Sequence, residues 1–215
     1  MRGVAPVARR AEPGERREMI KKVCIVGDSG VGKNTIAGIV APFERGLDRL
    51  VERIGAAVTK YGAEFQVGAQ RLRLTILVWD VTGRRDFRRL WSRYYTGAEG
   101  FIVVADASRP STLVSLPLWI SAVRGVGGKS VPIVVVVNKT GVVPGGELAE
   151  LRQQLTRALA DPDIPIFLVD AVSSSKSVLK APFRELARRI ARREAVRDSG
   201  GLRGNLVKRL AGSPN

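Results

Sequence analysis

One stretch narrows the folds open to this chain more than any other: KKVCIVGDSGVGKNTIAGIV, residues 21–40. Its first part is a short β-branched apolar run ending at Gly27, which predicts a buried strand. Its last part sets Ile36, Ile39, Val40 and then Phe43 at helical spacing, which predicts a helix broken near Pro42. A strand that passes through glycines straight into a helix can build an anion cradle. Glycines permit the dihedrals and close approach that let backbone N–H groups wrap a phosphate. The helix N-terminus adds partial positive charge, and Lys33 adds a full one. Gly27, Asp28, Ser29, Gly30, Val31, Gly32, Lys33, Asn34 and Thr35 are therefore the candidate phosphate-binding residues. G-x-x-x-x-G-K alone arises by chance in about one chain of this composition in ten, so the flanking strand and helix carry the inference. One slot departs from the pattern: Asn34 follows the lysine, where a Ser or Thr hydroxyl would ligate magnesium.

The strand signature returns at residues 72–80, 100–108, 131–139 and 164–171, and helical patterns fill 111–125, 146–160 and 178–196. The last pattern aligns Leu179, Phe183, Leu186 and Ile190 on one stripe. Strands apolar throughout have to be covered on both faces. Their alternation with helices predicts an α/β fold, a doubly wound, mostly parallel sheet with helices on both faces. Residues 44–62 show no decisive pattern. The expected organisation is a basic, flexible arm over 1–20, one domain over 21–197 and a basic, flexible tail over 198–215.

The net charge of +16 favours anionic partners, an anionic membrane surface among them. No aromatic stacking surface accompanies the charge, so sequence-specific nucleic-acid binding is not expected. The single cysteine, Cys24, lies in an apolar run and fits a reducing, cytoplasmic setting. The first residues mix Arg with Glu, Pro and Gly, unlike a signal or transit peptide. Arg2 stands where myristoylation needs a glycine, and the C-terminus carries no Cys for prenylation, so no lipid anchor is expected.

Two further strand ends carry chemistry. Asp80, closing the run at 72–80, can hold Mg²⁺, and Gly83 just beyond it can turn its N–H toward a terminal phosphate. Asn138 and Lys139 close the run at 131–139, where ligands of such sheets bind.

GDSGVGK, WDVTGRRDF, YYTGAEGFIVVADASRPSTL and VVVVNK, in that order over residues 21–196, resemble the Ras superfamily of small GTPases, nearest to its Rab branch. The resemblance implies a GTP/GDP switch with Mg²⁺ that hydrolyses the γ-phosphate and meets effector and regulator proteins. By position, residues 27–35 cradle the phosphates, and Lys33, Gly83 and residue 84 serve hydrolysis. Asn34 and Asp80 face the metal. Asn138 and Lys139 pack around the base, and the N–H of Val172 reaches it.

The departures from the family are as informative. Arg84 stands where the family has a water-orienting Gln, and Arg cannot accept a hydrogen bond from that water, so very weak turnover is expected. Arg85 replaces an acidic neighbour. Gly141 stands where N-K-x-D would place an Asp, so guanine preference is expected to be blunted. Thr59 matches the first-switch threonine only with a shifted alignment. Three readings follow: a guanine-nucleotide switch with weak or partner-dependent hydrolysis, a non-hydrolysing interaction module of the same fold (a pseudo-GTPase), and a basic surface binder in which the nucleotide site is secondary.

Overall fold

A computed structural model describes residues 16–40, 56–67, 70–81 and 94–211. Among these residues, six strands form one sheet: β1 (Arg16–Gly27), β2 (Ala56–Val67), β3 (Gln70–Val81), β4 (Gly100–Asp106), β5 (Ile133–Asn138) and β6 (Ile166–Leu168). The helices are α1 (Lys33–Val40), α2 (Pro110–Val114), α3 (Leu116–Gly127), α4 (Leu148–Leu159) and α5 (Lys176–Ala211). The strand order is β2-β3-β1-β4-β5-β6. Every neighbouring pair is parallel except β2 with β3. The doubly wound, mostly parallel sheet expected from the sequence is the fold observed.

Period-two alternation divides the apolar strands between two cores. Val23 and Ile25 of β1 join Ile102, Val104, Val134 and Val136 on one face, beneath Ile36 of α1 and Leu179, Phe183, Leu186 and Ile190 of α5. Cys24 and Val26 join Phe101, Val103, Val135 and Val137 on the other, beneath Leu116, Trp119 and Val123 of α3 and Leu155 of α4. The central strands are buried on both sides, which is why they read as unbroken apolar runs.

β2 begins in the stretch without a decisive pattern and runs past it to Val67. It is the antiparallel edge strand, paired with β3 alone, and Thr59 lies inside it opposite Val78. β1 starts at Arg16, ahead of the apolar run. Its first residues pair only with β3, and β4 joins from Val23 onward. α5 is helical through Ala211, beyond residue 197. The helical pattern at 111–125 is two helices that part at Ser115.

The chain leaves β1 for β3 on one side and crosses to β4 on the other. Such a reversal opens a crevice at the carboxyl ends of the strands. The residues after β1, β4, β5 and β6 gather there.

Candidate functional site

The glycine loop occupies that crevice. Gly27 has φ 143°, and a Cβ there would lie 2.2 Å from the carbonyl oxygen of Val104, so only glycine lets β1 run this close to β4. Gly32 has φ 94°, and its Cβ would meet Asn138 Nδ2 at 2.3 Å. α1 then starts at Lys33.

The loop carbonyls are held by side-chain donors, one after another. Lys33, 5% exposed, donates through Nζ to Gly27 O at 3.0 Å and Asp28 O at 2.8 Å. Arg109 Nη2 donates to Ser29 O at 2.9 Å, Lys139 Nζ to Gly30 O at 3.1 Å, and Asn138 Nδ2 to Val31 O at 3.0 Å. The peptide unit is planar and trans, so each carbonyl held by a side-chain donor turns the next N–H the opposite way. With the first turn of α1 behind it, the result is a nest of amide donors fitted to an anion. The Asp28 side chain faces away: it accepts from Ser115 Oγ at 2.5 Å and Trp119 Nε1 at 3.4 Å, fastening the loop to the α2–α3 junction.

A buried carboxylate organises the far wall. Asp106 ends β4 with no exposed surface, and it accepts from Lys139 Nζ at 2.6 Å, Arg109 Nε at 2.9 Å, Ser108 Oγ at 2.6 Å and Ser108 N at 2.9 Å. Burial alone would raise its pKa, but the hydrogen bonds from Lys139, Ser108 and Arg109 outweigh it and bring the carboxyl down to about 2. The two cations that Asp106 holds are the same two that hold Ser29 and Gly30. Lys139 itself sits at φ 60°, a left-handed conformation uncommon for lysine, and its double engagement keeps it there.

Asn138 bridges two loops. Besides Val31 O, it accepts the N–H of Ala171 on Oδ1 at 3.0 Å. Asp170 stands beside that contact. Its Oδ1 accepts from Val172 N at 2.9 Å and Ser173 N at 3.2 Å, and its Oδ2 accepts from Gly141 N at 3.0 Å. The Val172 N–H, expected to reach a base, is therefore spent on Asp170, while the Val172 side chain is 94% exposed.

Gly27 to Lys33, Asn138 and Lys139 thus form one hydrogen-bonded unit. Asn34 and Thr35 are exposed in the first turn of α1. Asp80 lies at the end of β3 with its backbone opposite Ile25 of β1. Gly83, Arg84 and Arg85 lie outside the described residues, and no group of three or more His, Cys, Asp and Glu among the described ones could hold a metal. Sequence reasoning missed Asp106, Arg109 and Asp170. The signal for Asp106 and Asp170 was available: each is an acidic residue closing an apolar run at the sheet's carboxyl end, as Asp80 is.

Residues 22–141 match the family model described as the Ras of Complex, Roc, domain of DAPkinase. Among similar proteins, Ras-related protein Rab-22A of Mus musculus is 28% identical over 197 residues, 90% of this chain and 94% of the relative. GTP-binding nuclear protein GSP1 of Encephalitozoon cuniculi is 30% identical over 176 residues, 81% of this chain and 78% of the relative. Ras-related protein Rab-5B of Plasmodium falciparum is 34% identical over 118 residues, 55% of each chain.

Proposed function

This chain belongs to the Ras-like family of small GTPase domains, and from that premise we propose that it is a guanine-nucleotide-binding switch whose own GTP hydrolysis is weak or partner-dependent. The observation that carries the reading is the fastening of the loop carbonyls by Lys33, Arg109, Lys139 and Asn138, since each held carbonyl turns the following N–H the opposite way and leaves it available to an anion. Gly27 to Thr35 hold the phosphates in this reading. Lys33 supplies charge at the outer phosphates, and Asn138 and Lys139 flank the base. Asn34 and Asp80 would hold Mg²⁺ through an amide oxygen and a carboxylate. That donor set suits a hard cation, and Asn34 is exposed directly after Lys33. When bound, the ion neutralises charge on the outer phosphates. Gly83 senses the γ-phosphate, and Arg84 offers the attacking water no acceptor, so hydrolysis is slow.

A titration of the full chain with fluorescent GDP, GTP and ATP, with and without Mg²⁺, tests this. Saturable guanine-nucleotide binding is expected, weakened about 10- to 100-fold by Lys33→Ala through loss of a charge-assisted phosphate contact. Arg84→Gln is expected to raise the single-turnover hydrolysis rate. Silence toward every di- and triphosphate sinks the reading. The second reading, a non-hydrolysing interaction module, is favoured by Asn34, Arg84 and Gly141 together. GDP binding without measurable turnover, unchanged in Arg84→Gln, would select it.

Effector and regulator proteins are the partners this reading calls for, in the cytoplasm. Contact with an anionic membrane surface would fall at the other end of the sheet. There a groove of about 510 Å³ beside the start of β5 is lined by Lys129, Arg189, Arg192 and Arg193 among others.

A further inference from the structure

We propose that Asp170 is the base-reading carboxylate of this chain. It enters from the β6 side the space left by the missing side chain of Gly141 and selects guanine over adenine. The inference rests on the nucleotide reading above and reverses the expectation that Gly141 blunts guanine preference.

The geometry shows what fills that space. A Cβ built on Gly141 would lie 2.5 Å from Asp170 Oδ2 and 3.5 Å from its Cγ. The volume that a side chain at 141 would begin to fill is already occupied by a carboxylate. That carboxylate is aimed by three backbone donors, Gly141 N on one oxygen and Val172 N and Ser173 N on the other. Its own backbone N–H is anchored to Ser174 Oγ at 2.9 Å. The neighbouring Ala171 N–H is locked to Asn138, and Asn138 is locked to the phosphate loop at Val31. Asp170 therefore belongs to the same rigid unit as the loop, next to the two residues that flank the base in the proposed function.

The chemistry follows from acceptor counting. An ionised carboxylate offers about four acceptor positions. The three backbone N–H groups take one on Oδ2 and two on Oδ1. One position remains beyond these three; the Ser173 hydroxyl also donates to the carboxylate, and a base donor would take its place. The Val172, Ser173 and Gly141 N–H groups hold the carboxyl below its usual pKa, so it stays a pure acceptor at neutral pH. Guanine presents two donors, N1–H and the 2-amino group, of which the one remaining acceptor position takes one or is shared by both. Adenine presents N1 as an acceptor in the same place, which a carboxylate repels. A carboxylate that only stapled the loop would make the same backbone contacts and show no base selectivity.

The test is a titration of the full chain with ribose-labelled fluorescent GDP, IDP, XDP and ADP. The wild type is expected to bind in the order GDP, IDP, ADP, with at least about tenfold between the first and last. Asp170→Asn is expected to lose about 10- to 100-fold in GDP affinity and to gain XDP, whose C2 carbonyl accepts from the new amide, with ADP unchanged within about twofold. Gly141→Asp alone is expected to disturb binding, because its Cβ meets the Asp170 carboxylate; adding Asp170→Ser is expected to restore guanine preference. An unchanged GDP-to-ADP ratio in Asp170→Asn, or a parallel fall for all four nucleotides, overturns the inference while leaving the nucleotide reading standing. A wild type that binds GDP and ADP equally does the same, with no variant needed. A wild type that binds none of the four overturns both.

Discussion

Asp106 sets burial against charge at a single residue. Its carboxylate has no exposed surface, yet it stays ionised because Lys139, Arg109 and Ser108 all donate to it. Its folded pKa, about 2, lies below the ordinary 3.8. The stabilisation is therefore complete above pH 3.8 and is lost as the pH falls from there through about 2. Asp106→Asn is expected to cost about 1–3 kcal/mol at pH 7 by replacing charge-assisted bonds with weaker ones. Urea unfolding of both proteins from neutral pH down to about 2.5 checks this: the gap between them should narrow below pH 3.8, where the unfolded chain's carboxyl is protonated while the folded one stays ionised down to about 2. A constant gap would mean that the charge contributes nothing. The same substitution should also weaken nucleotide binding, since Lys139 and Arg109 are the cations that hold Gly30 and Ser29.

At the scale of elements, the site depends on how closely β1 seats against β4, and the stability of the domain on how α5 seats against the sheet. Gly27 and Val104 are register partners, and no side chain fits between them. Gly27→Ala is expected to destabilise the domain by at least about 2 kcal/mol, because strain at a positive φ adds to a backbone clash. It should also abolish nucleotide binding, as a combined thermal-unfolding and titration experiment would show. α5 covers the face that carries α1. Phe183 is fully buried there, its ring centroid 5.8 Å from that of Tyr61 in β2. Phe183→Ala is expected to cost about 3–5 kcal/mol, read from denaturant midpoints, while leaving nucleotide affinity nearly unchanged. A large loss of affinity would reveal coupling between α5 and the loop.

Across the whole molecule, the charge is +16 and the two ends of the sheet differ. The carboxyl end holds the loop and two cations already paired with Asp106. The amino end holds the basic groove, where Arg124 is paired with Asp161 but Lys129, Arg192 and Arg193 add further positive charge. Binding to vesicles containing anionic lipid is expected to fall at least about tenfold between about 50 and 200 mM salt, while binding to neutral vesicles is absent. Replacing Lys129, Arg192 and Arg193 together by Gln should weaken vesicle binding and leave nucleotide affinity intact. Salt-independent binding would rule out the electrostatic account.

The order of residues was enough to specify the central strands, the glycine loop and the apolar stripe of α5. Each of these owes its signature to local necessity: strands covered on both faces must be apolar throughout, and a loop that approaches Val104 and Asn138 this closely must be glycine. β2 and the first residues of β1 carry no such signature, because an edge strand or a strand paired on one side keeps polar residues without penalty. The Asp106 network and the approach of the Asp170 carboxylate to Gly141 emerged only in three dimensions. Those contacts join residues up to 109 positions apart in the chain, and no spacing rule reports which carbonyl a distant cation will hold or whose carboxylate will fill a glycine's empty volume.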